Sequence, residues 1–432
     1  MNKILILILA LIILNNCSLN ENSRIWKNKE EKFESQKNIK KVFSDDKRVV
    51  IEFNQKLNLD LKHINTSNKI TDNKNDYGSL NYNGTLNKIG NYKFLKLEDL
   101  NQLNYKPIFL NDGIIFFDKK GSIIRYNNKQ RIVWKNNYYS KSEKKLKPKL
   151  HFIVDGENLL VTDSIAKYYS VNLNSGELNW SKSNMYPFNS EMKKYKNKIF
   201  VVDYKNYLRC YNIDHGNECW NLQTEDSFTI SNSKFSLIII DNKVVFSNSI
   251  GDITAVDIET GLISWQLPTQ SSSIINETYN FKISKLVSDG KSIFFSNNKS
   301  EFYSLDVKTG TINWINEISS NITPSIVGNL IFAVSNDGYL FVLEKINGNI
   351  IRISDLFKNY NIKKRKNIKP IGFAIGNTNL YLTNTDGKMI IVDLNLGNII
   401  KSVKISGKFT SKPFIVNKNL FVIRNGSIVQ YN

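Results

Sequence analysis

One ten-residue block recurs along the chain and limits what it can become. It reads Val256-Asp257-Ile258-Glu259-Thr260-Gly261-Leu262-Ile263-Ser264-Trp265, and again Leu305-Asp306-Val307-Lys308-Thr309-Gly310-Thr311-Ile312-Asn313-Trp314. A third copy runs from Val171 through Gly176 to Trp180, and a fourth from Asn212 through Gly216 to Trp220. Degenerate copies keep Gly348 with Arg352 and Gly397 with Lys401, and an early copy keeps Trp134 without the glycine. Apolar residues lead into Asp or Asn, and a tight turn follows. Glycine supplies the positive φ of that turn, and the Asp or Asn side chain can bond its backbone. The strand beyond ends in a large apolar face suited to packing between neighbouring sheets.

Upstream of the blocks lies a second series of apolar runs. They are Ile114–Phe117, Leu159–Val161, Ile199–Val202, Val244–Phe246, Ile293–Phe295, Leu330–Phe332, Leu380–Leu382 and Leu420–Ile423. There are eight, at intervals of roughly 40–50 residues, the period of a four-stranded propeller blade. Amphipathic helical periodicity is almost absent. The expected fold is all-β, an eight-bladed β-propeller of four-stranded antiparallel blades over residues 81–432. The last hairpin ends at Tyr431 with no Gly-to-Trp strand after it, so the ring needs a strand from elsewhere. Residues Gly90 to Glu98 are placed to supply it, which removes an exposed sheet edge.

The N-terminus carries an address. Met1-Asn2-Lys3 precedes an uncharged run from Ile4 to Leu14, the form of a secretory signal and too short to span a bilayer. Leu14-Asn15-Asn16-Cys17-Ser18 follows and resembles the lipobox of bacterial lipoproteins, although Asn16 stands where a small residue is usual. The resemblance implies a diacylglyceryl group on Cys17, removal of residues before it and acylation of the new N-terminus. Because Ser18 is not Asp, it also implies the outer membrane, periplasmic face. Several acyl chains make such anchoring stable where one does not. Residues 18–80 are rich in Lys, Glu, Asn and Ser and read as a polar tether. The formal net charge is +20, but the basic residues are dispersed among Asn, Asp and Glu. The composition therefore points away from nucleic acid and, at most, toward anionic lipid headgroups.

The Asp-x-x-Thr-Gly-x-x-x-Trp blocks resemble the pyrroloquinoline-quinone-type propeller repeat. With the lipobox and eight repeats, the chain resembles the outer-membrane protein assembly factor BamB family. That resemblance implies a non-enzymatic scaffold lipoprotein of the β-barrel assembly machinery. Such a protein binds the periplasmic domains of a BamA-type barrel protein and assists unfolded barrel precursors. The middle blades carry the contacts in that family. Here they correspond to segments 228–235 and 279–285, with Phe228, Phe235, Phe281 and Lys282 as candidate partner-binding residues. A plug of the propeller is the alternative role for the phenylalanines.

Quinone-dependent dehydrogenases share the repeat and give the competing expectation, a quinone- or other ligand-binding periplasmic enzyme. By resemblance they need adjacent cysteines, a calcium site and a catalytic Asp. No adjacent cysteines occur here, and Asp257, Asp306 and Asp393 fall on repeat turns. His63, His151 and His215 form no ligand spacing, and no phosphate loop or nucleophile elbow appears. No catalytic residue, metal or cofactor is expected. Cys210 and Cys219 flank the turn at His215-Gly216. A four-residue loop sets them opposite one another, and a three-residue loop offsets them by one step. A disulfide is expected, with two packed thiols as the alternative.

Overall fold

Each repeat folds as one four-stranded antiparallel sheet. The computed structural model describes residues 50–59, 81–96, 105–225, 233–269, 281–407 and 410–432. Its strands form eight such sheets. The fourth shows why these residues make these strands. Lys243–Ser247 and Ile253–Asp257 are the two middle strands, and their apolar runs are buried on both faces. A blade sandwiched between two others has no solvent face there, so the pattern is continuous rather than alternating. The outermost strand, Ile263–Leu267, stays largely open to solvent. The innermost strands begin each blade from blade 1 to blade 8. They are Ile108–Leu110, Leu150–Asp155, Lys193–Tyr195, Leu237–Ile240, Val287–Ser288, Ser325–Val327, Pro370–Ile375 and Phe414–Val416. Inner strands of neighbouring blades approach one another, which places them around the axis.

The Gly-to-Trp block makes the outer hairpin. Asp257 Oδ1 accepts from the backbone N–H of Glu259 and Thr260 at 3.0 and 2.9 Å, and Asp306 does the same for Lys308 and Thr309 at 2.9 Å each. These bonds hold both carboxyls below the ordinary carboxylate range. The turn closes through Gly261 at φ +73°. One extra residue then bulges out of the outer strand: Ala255 faces Trp265, while Val256 faces Ile263. The same irregularity recurs in blades 1 to 7 and sets the register of the Trp positions.

Each of the five described indoles covers the turn glycine of the next blade. Trp134 lies against Gly176, Trp180 against Gly216, Trp220 against Gly261, Trp265 against Gly310 and Trp314 against Gly348. In four of these the indole Nε1–H also donates to a backbone carbonyl of that next blade, at Leu173, Ile258, Val307 and Lys345. The degenerate sixth copy keeps the arrangement with a different side chain. Arg352 is fully buried, lies against Gly397 and donates to Leu394 O at 2.8 Å and Asn395 O at 2.6 Å.

The ring closes as expected, with a shifted boundary. Lys88–Lys93 is the outermost strand of blade 8 and pairs antiparallel with Ser427–Tyr431. The strand begins two residues before the expected Gly90 and is over by Lys93. Its register is held by Tyr92, which is buried, packs edge-on against Tyr126 of blade 1 and donates to Gln430 Oε1 at 3.2 Å. Residues 51–59, which the sequence assigns to the tether, lie against blade 6. Phe53 and Ile353 exchange both backbone bonds at 3.1 Å, and Leu59 is buried in the core shared by blades 6 and 7. No helix among the described residues is long and apolar enough to cross a membrane.

Candidate docking face and channel mouth

The loops that enter the inner strands gather on one rim, and the described candidates Phe235, Phe281 and Lys282 lie there. Phe228 and Cys17 fall outside the described residues. Phe235, Phe281 and Lys282 are described, and the structure brings their segments together: the Ser233 hydroxyl donates to the Phe281 carbonyl at 3.4 Å. The two phenylalanines are buried, which fits the plug that the sequence left as the alternative to a surface contact. Phe235 is 4% exposed and sits in the core between blades 3 and 4, its N–H donating to Asn189 O at 2.9 Å. Phe281 is 3% exposed and covers Gly251, where an added Cβ would lie 2.3 Å from its ring. Both close the sheet ends against water, which is where the hydrophobic effect drives a phenyl ring when a core pocket is in reach. Lys282 is exposed, and its backbone N–H and C=O are held by Asn298 at 2.9 and 3.0 Å. The rim here thus presents a cation on a fixed backbone above a buried aromatic plug.

The cysteines do not bridge. Cys210 is buried, Cys219 is exposed, and both are free thiols. The reason is the bulge: Cys210 faces Trp220 and Tyr211 faces Glu218, leaving Cys219 as the extra residue. The one-step offset is the geometry found. Burial, then the neighbouring Cys219, raises the Cys210 thiol well above its ordinary value. The repeat-turn aspartates serve the backbone, as described. Among the described residues no group of three His, Cys, Asp or Glu could hold a metal ion.

The same rim surrounds a group of charges that the sequence did not single out. Seven of the eight inner strands are preceded or opened by a lysine: Lys106, Lys149, Lys193, Lys234, Lys285, Lys369 and Lys412. Blade 6 has Thr323-Pro324 instead. Ring closure brings several together across the axis. Glu191 of blade 3 accepts from Lys285 of blade 5 and lies 3.9 Å from Lys193. Lys234 of blade 4 stands 5.0 Å from the ring centroid of Tyr105 of blade 1, and that ring packs at 4.4 Å on His151 of blade 2. Burial pushes the Lys234 ammonium down to about 7, with Lys149 adding to the effect. Burial and then Lys234 hold His151 well below its ordinary value. Burial would raise Glu191, but Lys285, Lys193 and His151 outweigh it and keep the carboxyl ionised. The repetition of Lys before seven of the eight inner strands, three times as Lys-Pro, was the available signal.

The family model described as outer membrane protein assembly factor BamB matches residues 119–354. Among curated proteins, none matches the chain. Among solved structures, BamB from Moraxella catarrhalis is similar with a TM-score of 0.63 at 16% identity, over 81% of this chain and 100% of that one. The quinohemoprotein alcohol dehydrogenase of Comamonas testosteroni is similar with a TM-score of 0.61 at 9% identity, over 82% and 78%. A europium-containing methanol dehydrogenase gives 0.58 at 11% identity, over 81% and 87%. Likeness at these identities is likeness of fold, shared by scaffolds and dehydrogenases.

Proposed function

The chain belongs to the outer membrane protein assembly factor BamB family, and from that premise we propose that it is a non-enzymatic scaffold lipoprotein of the outer-membrane β-barrel assembly machinery. It is anchored through acylated Cys17, faces the periplasm and binds the periplasmic domains of a BamA-type barrel protein, assisting insertion of barrel precursors. The observation that carries this reading is the family match over residues 119–354, from within blade 1 to the last strand of blade 6. Rigid sheets present rim loops that suit protein recognition. On the rim of blades 4 and 5, Lys282 is the exposed contact, and Phe235 and Phe281 act beneath it by fixing the loop positions. Rim charges tune encounter and orientation more than total affinity.

The test is co-purification from native membranes in mild detergent. The wild-type chain is expected to bring down an outer-membrane barrel protein, and Lys282→Glu to recover less of it at equal expression. Loss of membrane association in Cys17→Ser tests the anchor separately. Saturable turnover of a substrate by the purified chain would instead support the dehydrogenase-like alternative.

A further inference from the structure

The channel mouth lies on the same rim as the docking face and shares Lys234 and Lys285 with its two segments. Two of its features call for an explanation. The first is charge. Around Lys234 and His151 stand Lys149, Lys193 and Lys285, with Glu191 the one carboxylate among the described residues acting on both. Glu191 is engaged by Lys285 and Lys193. Among the described residues Lys234 has no carboxylate partner and meets only the face of Tyr105. Buried charges are ordinarily paired, because an enclosed ammonium without a counter-charge is costly. The second is a polar atom. His151 is 7% exposed, and its Nε2 is buried without a hydrogen-bond partner. A buried imidazole nitrogen left unmatched costs free energy as well. Both features are met by one kind of occupant, a small anion with several oxygens.

We propose that the channel mouth binds a small multivalent oxyanion, a phosphate or a polycarboxylate, with Lys234 as its principal cation and His151 Nε2 as a hydrogen-bonding partner. Lys193 is nearly inaccessible, whereas Lys285 keeps about a quarter of its side chain open. The anion therefore enters from the side of Lys285 and the partly exposed Lys234. Lysine suits this role as a compact charge that can meet phosphate or carboxylate oxygens from several directions. Glu191 keeps the site from collapsing into mutual repulsion when empty, and it sets a preference for ligands able to compete with a carboxylate for Lys285. Bound anion charge favours the ammonium form of Lys234, so binding takes up protons at neutral pH.

The experiment is a calorimetric titration of the purified chain, in phosphate-free, chloride-based buffer, with inorganic phosphate and separately with citrate. One saturable site per chain is expected for at least one of them. The tighter of the two tells a phosphate-type ligand from a polycarboxylate. Lys234→Met is expected to weaken binding at least tenfold. Its unfolding temperature without anion should equal or exceed that of the wild type, because a half-buried cation with no carboxylate partner among the described residues has been removed. The absence of saturable binding by both anions, or unchanged affinity in Lys234→Met, overturns the proposal. Should that variant fail to fold, the imidazole NMR signals of His151 in the wild-type chain decide the matter. They shift on saturation if the site is real, and unchanged signals sink it.

Discussion

The indole of Trp265 covers Gly310 of the next blade, and its Nε1 donates to Val307 O at 3.0 Å. A Cβ at Gly310 would lie 2.5 Å from the indole, on a backbone at φ +72°. Two costs are therefore combined at this position, and a second glycine separates them. Gly290 has φ +94° but open space around the added Cβ. Gly310→Ala is expected to lose about 1–3 kcal/mol and Gly290→Ala about 1 kcal/mol. Urea unfolding of the two variants measures the difference, and equal losses would show that the indole contact is slack.

Asp163 gives a pH dependence with a definite sign. It is fully buried, accepts from Tyr139 Oη at 2.6 Å and caps its turn through Ile165 and Lys167 N–H. Burial pushes its carboxyl up to about 6 from an ordinary value of 3.8. The folded state thus holds this proton more tightly than the unfolded chain. Its contribution is complete below the unfolded pKa and lost as pH rises through about 6. Asn248 and Asn297 cap the equivalent turns of other blades with an amide oxygen. Asp163→Asn should therefore keep the cap and be more stable at pH 7.5 by up to about 3 kcal/mol, converging with wild type near pH 4. Parallel denaturation curves at both pH values check this.

The cysteines should differ in reactivity. A thiol reagent applied to the folded protein is expected to modify exposed Cys219 promptly and Cys210 only after unfolding. Mass spectrometry of the labelled peptides reads the order directly, and a disulfide-linked peptide in the unreduced protein would contradict the free-thiol pair.

Closure can be tested by truncation. A chain beginning at residue 81 keeps Lys88–Lys93 and should unfold cooperatively. One beginning at residue 97 leaves Ser427–Tyr431 as an open edge and should aggregate or unfold at markedly lower denaturant. Light scattering and urea midpoints compare the two.

On the docking face, Lys282→Glu should reduce recovery of the barrel partner several-fold with its unfolding midpoint unchanged, since its side chain is exposed. Phe281→Ala should lower stability by about 3–5 kcal/mol, because its ring fills the space over Gly251. A Phe281 variant that binds less yet is fully stable would return that ring to the surface.

The blade count, the closing strand and the roles of Trp265, Gly310 and Asp306 were legible because each depends on a local pattern repeated several times. Arg352 was visible as a missing Trp, but not as its substitute, since only the packed structure shows Leu394 and Asn395 offering carbonyls to it. For Phe235 and Phe281 the sequence left contact and plug open, because an apolar residue in an irregular segment looks the same whichever way its ring turns. Cys210 and Cys219 hinged on a single bulge, which shifts the pairing without changing the residue count. The channel lysines went unnoticed for a different reason. They come from separate blades and become neighbours only when the ring shuts.

The segment at residues 51–59 has a mechanical consequence. Tension applied from the N-terminal side travels along the chain and meets the Phe53–Ile353 bridge and the buried Leu59 before it can reach Lys88–Lys93. Blade 6 therefore takes the load first, as a strain relief takes the pull on a cable. The clasp of blade 8 is spared until that grip has slipped.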